Sequence, residues 1–319
     1  FKIYADNPPA CRTFKMYEPF AIGDFIIKPY LMDHSAFDAA AFEIAAEGKT
    51  IIYTGDFRGH GRKAVCLDRF ISGATPNADL LLTEGSMLGR KDEEILTEDE
   101  LQAASFDMIS QSTGITLFQT SSQNIDRLVS FYKAAQKARK IFVVDVYTAN
   151  VLYELRQLGN NRLPYPSAEY KDIKVFYPYF MTQKIFNEIG DEYAKRFSAF
   201  HISKENLALH QSEIVMCVRP SMYFDLEKCS LHGGTFIYSM WQGYRESEYQ
   251  KRFEVKLTKL HFKAEFLHTS GHAAIEDIKR ELTGLNPQKI IPIHTMYPDD
   301  FLAFSDKVEV VKDGVEMNI

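Results

Sequence analysis

Five residues of metal-ligand or acid–base type stand at the ends of apolar runs. His34 closes PYLMDH, Asp56 closes TIIYTGD, Glu84 closes DLLLTE, His272 closes EFLHTSGH and His294 closes IIPIH. Imidazole with carboxylate is a donor set suited to zinc or manganese. A carboxylate can bridge two cations, and two cations about 3.5–4 Å apart acidify a shared water and clamp a phosphate during in-line displacement. A histidine that binds no metal, oriented by a carboxylate, can protonate a leaving oxygen. Each residue alone has a plainer reading: His34 beside Ser35 as a helix-start residue, Asp56 as a turn former, Glu84 as a solvated strand end, His294 as a buried imidazole on a backbone carbonyl. Turns favour Asn, Gly, Ser and Pro rather than His, so five such ends together are hard to obtain from turns alone.

These residues need strands whose carboxyl ends share one edge, where sites gather in α/β sheets. DFIIKPYLMDH reads as a strand, and AAFEIAA and TIIYTGD as a hairpin turning at Glu47-Gly48-Lys49. The chain also begins on a strand-like run. The middle alternates strands and helices: ITLFQTSSQN, a helix through Ile125, Leu128, Val129 and Tyr132, KIFVVDV, then the helix TANVLYELRQLG. That order predicts a parallel α/β sheet. EIVMCV and GGTFIYSMW read as further buried strands and YQKRFEVKLTKL as a helix. HFKAEFLHTS reads as a strand with Phe262, Ala264 and Phe266 on one face. A helix follows on Ile275, Ile278, Leu282 and Leu285, bounded by Gly284 and Pro287. It is expected to be the crossover that keeps the strands before His272 and at His294 parallel. A terminal hairpin is expected around Asp313-Gly314.

The 319 residues are 45% hydrophobic and 25% charged, ordinary for a globular chain with a large core. No apolar run of about 18 residues predicts a membrane span, and no secretory signal is read. The four cysteines, Cys11, Cys66, Cys217 and Cys229, form no CxxC pair, which speaks against a zinc knuckle or disulfide framework and for a reduced, cytoplasmic setting. A net charge of −6 does not suggest a general nucleic-acid coat and leaves local phosphate binding open.

At the five residues the sequence resembles the metallo-β-lactamase fold hydrolases of the β-CASP group. DHSAFDAAAFEI is similar to the third metal motif and IIYTGDFRGHGR to the fourth; LLTEGS, TSGHA and IPIHT resemble motifs A, B and C. The order fits over essentially the whole chain, with a long α/β insertion between A and B. The resemblance implies an αββα metallo-β-lactamase domain from residues 1–108 and 259–319, and an inserted parallel α/β β-CASP domain at 109–258. It implies His34 and His294 as ligands of two metals, Asp56 as their bridge, and His272 as a general acid oriented by Glu84. A histidine in motif C goes with RNA-processing members of the ribonuclease J and mRNA 3′-end endonuclease kind, so single-stranded RNA is the expected substrate and DNA the lesser alternative. The family's main ligand motif, HxHxDH, is absent, and no two of the nine histidines form HxH. An upstream segment carrying that motif is expected; the rival is a natural pseudoenzyme. This chain alone is expected to hold an incomplete two-metal site, with zinc or manganese bound weakly or not at all.

Three further features have two readings each. The loop Thr120–Asn124 could hold a phosphate or simply cap a helix. Ser239 and Ser270 are candidate phosphate contacts, and Trp241 or Tyr244 could stack a base or pack in a core. Arg58, His60 and Arg62 line the site or brace their loop. A non-catalytic RNA-binding scaffold is the reading from another class, and a homo-oligomer stays open. A nucleotide-binding Rossmann module is disfavoured, since no GxGxxG follows a strand.

Overall fold

Glu47 and Gly48 both adopt positive φ, 52° and 77°, the geometry of a tight hairpin turn. They join β3 (Ala40–Ala46) to β4 (Lys49–Tyr53) as the sequence predicts. The structure, a computed structural model, describes residues 11–90, 94–159 and 162–319. The strand read at the start of the chain lies in residues 1–10, outside the described residues. In chain order β1 (Phe20–Ile22), β2 (Phe25–Leu31), β3 and β4 precede α1 (Val65–Gly73) and β5 (Leu80–Glu84). There follow α2 (Glu98–Gln111), β6 (Ile115–Gln119), α3 (Ile125–Lys137), β7 (Ile141–Asp145), α4 (Val146–Arg156) and β8 (Ile173–Phe176). Next come α5 (Tyr179–Glu188), α6 (Asp191–Lys195), α7 (Lys204–Leu209), β9 (Ile214–Cys217), α8 (Tyr223–Glu227), β10 (Gly234–Tyr238) and α9 (Gln242–Arg245). The last are α10 (Glu248–Lys259), β11 (Phe262–Phe266), α11 (Ile275–Leu285) and β12 (Ile290–Ile293).

Two compact units result, one from residues 11–97 with 270–319 and one centred on 98–269. The first carries a mixed sheet in the order β1-β2-β3-β4-β5-β12. Its first four strands are antiparallel in sequence, while β5 runs parallel to both β4 and β12. Strands β2, β4, β5 and β12 therefore point the same way. Leu67 and Phe70 of α1 and Ile278, Leu282 and Leu285 of α11 bury a shared core with Tyr30, Ile52, Leu81 and Ile290. Gly284 is small because Ile71 of α1 lies where its Cβ would be. Asn286 in the left-handed conformation (φ 46°) ends α11.

The second unit holds a wholly parallel sheet, order β11-β10-β6-β9-β7-β8, so the α/β class with an inserted parallel sheet is what the chain forms. Its core gathers Leu117, Val143, Phe176, Met216, Phe236 and Phe253. Asn124 caps α3 by accepting the Arg127 N–H, the helix-capping reading of the Thr120–Asn124 loop.

Two local expectations are corrected. β11 pairs with β10 in the parallel sheet, whereas β12 pairs with β5 in the mixed one, so α11 is not a crossover within one sheet. The end of the chain makes no hairpin; Val308 forms a single parallel bridge to Ile290. Among the described residues no helix is long and apolar enough to cross a membrane.

Candidate metal centre

Three parallel strands deliver three of the side chains. β4 ends at Tyr53, and Gly55 at φ 59° turns the chain so that Asp56 follows. A Cβ on Gly55 would meet the Ala40 carbonyl at 3.1 Å, so both conformation and space require glycine there. Glu84 is the last residue of β5, and Ile293 of β12 lies opposite it in register. His294 comes next, at φ 49°. A non-glycine residue in that region is uncommon, and such conformations concentrate at functional sites. His34 follows β2, whose carboxyl end lies on the same edge. The plainer reading of His34 as a helix-start residue fails, since no helix begins there.

Glu84 is fully buried and multiply engaged. Its Oε1 accepts the Phe57 N–H at 2.9 Å and the Ala273 N–H at 3.3 Å, and its Oε2 accepts the Ser86 N–H at 3.3 Å. His272 Nδ1 lies 3.1 Å from Oε2 and 3.2 Å from Oε1. The carboxylate thus accepts a hydrogen bond from Nδ1–H, which leaves Nε2 for other chemistry. Burial alone would depress the His272 pKa, but the hydrogen bond and charge of Glu84, with Asp56 beyond, raise it above the ordinary imidazole value. His34 Nδ1 donates to the Gly271 carbonyl at 2.5 Å, leaving its Nε2 lone pair free for a ligand role. Burial holds the His34 pKa below normal despite that bond, and the neighbouring His272 adds to the depression.

Asp56 and His294 meet each other: His294 Nδ1 lies 2.7 Å from Asp56 Oδ1, with the two side chains 56% and 37% exposed respectively. The His272 ring lies 5.2 Å from that of His294 and 5.4 Å from that of His34, centroid to centroid. One donor atom each from Asp56, Glu84, His272 and His294 fall within 4.8 Å of one another. His34 is outside that group of four and adjoins it through His272. Imidazole nitrogens and a partly exposed carboxylate oxygen, with a second carboxylate fully committed to orientation, fit a divalent metal centre.

The other candidates are placed differently. Ser270 is buried, and its Oγ accepts the His272 N–H at 3.1 Å, so it shapes the loop that bears His272. Ser239, in the parallel-sheet unit, is buried; its hydroxyl donates to the Leu267 carbonyl at 2.6 Å and accepts from Arg127 at 2.6 Å. Trp241 follows β10, 38% exposed, with its ring edge-on to Tyr244.

Arg58 and His60 brace the site rather than line it. Both are buried, and both reach the Ser270 carbonyl, at 3.0 and 2.9 Å. Asp33 accepts the Gly61 N–H and Asp277 of α11 accepts the Gly59 N–H, each at 2.8 Å. The alternating glycines of FRGHGR were the available signal. A Cβ on Gly59 would fall on the Asp277 carboxylate, and one on Gly61 on Arg58 and Asp33.

Residues 259–319 match the family model described as RMMBL, the Zn-dependent metallo-hydrolase RNA specificity domain. The chain is 26% identical over 295 residues to ribonuclease J of Helicobacter pylori strain 26695, and 25% identical over 292 residues to that of strain J99. Each alignment covers 89% of this chain and 40% of the relative, so the chain spans less than half the length of these proteins. A crystal structure of a protein of unknown function from Enterococcus faecalis V583 shares the fold, with a TM-score of 0.73 at 20% identity over 96% of this chain and 66% of that one.

Proposed function

We propose that this chain, a ribonuclease J-like member of the β-CASP metallo-β-lactamase hydrolases by its motifs and its similarity to known proteins, forms the catalytic region of a cytoplasmic, metal-dependent RNA phosphodiesterase. The observation that carries the reading is the convergence of Asp56, His294 and the Glu84–His272 pair at the carboxyl ends of parallel strands. Asp56, His294 and His34 would hold divalent metal, zinc or manganese. The ions would supply an acidified water and a clamp on the phosphate. Glu84 fixes the His272 ring by its Nδ1 proton, and His272 Nε2–H then faces the task of protonating the leaving oxygen. The raised pKa keeps that proton in place nearer neutral pH. Single-stranded RNA is the preferred substrate, supported by the matching RNA specificity domain at residues 259–319 and by the ribonuclease J relatives.

One observation favours a second reading, a non-catalytic RNA-binding subunit: no two of the nine histidines form HxH, so the ligands of this chain are fewer than two ions require. On either reading the chain by itself binds metal weakly. Labelled single-stranded RNA and DNA incubated with the intact protein and Zn²⁺ or Mn²⁺ separate the cases. The phosphodiesterase cleaves RNA, and His272→Ala abolishes cleavage while metal is retained. Unchanged cleavage in His272→Ala rejects the acid role, and RNA binding without cleavage supports the scaffold.

A further inference from the structure

The chain passes between its two compact units at Thr97–Glu98 and at Thr269–Ser270. Ser270 opens the mixed-sheet unit after the second passage, and its carbonyl accepts from Nη1 of the fully buried Arg58 at 3.0 Å. The buried Asp33 carboxylate lies beside the same guanidinium, Oδ1 3.7 Å from Nε. A buried ion pair is weak evidence for stability, and one held on a backbone carbonyl fits a use in geometry.

That geometry bears on three residues. His60 Nε2 gives the Ser270 carbonyl a second partner, at 2.9 Å. Ser270 Oγ accepts the His272 N–H, and the next carbonyl, of Gly271, orients His34. A Cβ on Gly271 would meet the Ser35 side chain at 2.8 Å, so the tripeptide has no slack on that side. Ser270-Gly271-His272 therefore carries the proton-transfer group and sets the ring of a candidate ligand at once.

We infer that Arg58 and His60 are positioning residues: through the Ser270 carbonyl they fix the placement of His272 and His34. The catalytic consequence rests on the phosphodiesterase reading; the positional claim does not. The test uses Arg58→Met and, as the mildest change, His60→Ala, read by backbone hydrogen exchange and by metal-dependent RNA cleavage. Exchange at residues 270–274 rises several-fold in His60→Ala while β4, β5 and β7 keep their protection. The kcat falls by roughly 10–100-fold, the usual range for an outer-shell partner, with KM unchanged. Arg58→Lys, which keeps charge beside Asp33, recovers part of the loss in Arg58→Met. Unchanged exchange at 270–274, or protection lost evenly across the molecule in His60→Ala, overturns the inference. Local exchange changes in a protein whose wild type cleaves no RNA leave the inference standing and remove the proposed function.

Discussion

The carboxyl edges of the two sheets look alike in composition and differ in how their polar groups are satisfied. At the edge of the parallel sheet, Arg219 follows β9, Asp145 ends β7 and Ser122 follows β6. Arg219 Nη2 donates to Asp145 at 2.7 Å, to Ser122 Oγ at 2.5 Å and to Thr148 Oγ1 at 3.2 Å. Asp145 also caps α4 by accepting the Thr148 N–H at 2.8 Å. Burial would lower the Arg219 pKa, but Asp145 outweighs it and the guanidinium is held charged. Every one of these groups has a partner within its own unit. At the edge of the mixed sheet Asp56 and His294 pair with each other beside His272 and stay partly exposed, while Glu84 is saturated with donors. A polar cluster closed upon itself builds a fold. One backed by a saturated carboxylate and open in front is arranged for something from outside.

The contrast is broken most severely by changing the open cluster. Asp56→Asn or His294→Ala lowers RNA cleavage by more than the roughly 100-fold upper range of an outer-shell loss. Stability stays within about 0.5 kcal/mol, because His294 is exposed and Asp56 only partly buried. Denaturant titration beside the cleavage assay checks both halves. Arg219→Met does the reverse. It leaves Asp145 buried without its cation and costs on the order of 3–5 kcal/mol of unfolding free energy. The rate per folded molecule stays near wild type.

A smaller effect sharpens the difference between buried and open carboxyls. Glu281 of α11 is fully buried, with Thr83 donating to it at 2.7 Å. Burial, reinforced by the charge of Glu84 and opposed by the Thr83 bond, raises its pKa from 4.5 to about 8. Between those values the folded chain keeps a proton that the unfolded chain has released. Stability from this group therefore declines as pH rises from about 4.5 to about 8 and is level above. Glu281→Gln flattens that slope in thermal melts taken across the interval; an unaltered slope rejects the assignment. Smallest of all, Ser239→Ala removes the bonds to Arg127 and to the Leu267 carbonyl and lowers stability by about 1 kcal/mol. RNA affinity measured by fluorescence anisotropy does not change.

The site was more legible than the sheet around it, for a physical reason. An apolar run ending in His, Asp or Glu marks where a side chain must emerge, and Asp56, Glu84, His272 and His294 were readable on that ground. Which strand lies beside which is not a local property. HFKAEF has the same length and alternation whichever sheet it joins, so β11 was expected in the sheet of His294 and pairs with β10 instead. Of its three aligned residues only Phe262 is buried, while Phe266 stays 46% exposed. The short helices α5 to α8 span ten residues or fewer and offer little periodicity to read. Arg58 and His60 escaped a definite role because a buried brace and a site-lining residue look identical in sequence; only their shared contact at Ser270 separates them.

The central claim is that the open cluster of the mixed sheet does chemistry and the closed cluster of the parallel sheet does not. Single-turnover cleavage of labelled single-stranded RNA by the intact protein in Mn²⁺ or Zn²⁺, compared among wild type, Asp56→Asn and Arg219→Met, tests it directly. Wild type and folded Arg219→Met should cleave at similar rates, and Asp56→Asn should be nearly inert. Cleavage by Asp56→Asn at the wild-type rate, or an Arg219→Met protein that is folded yet equally inert, would contradict it.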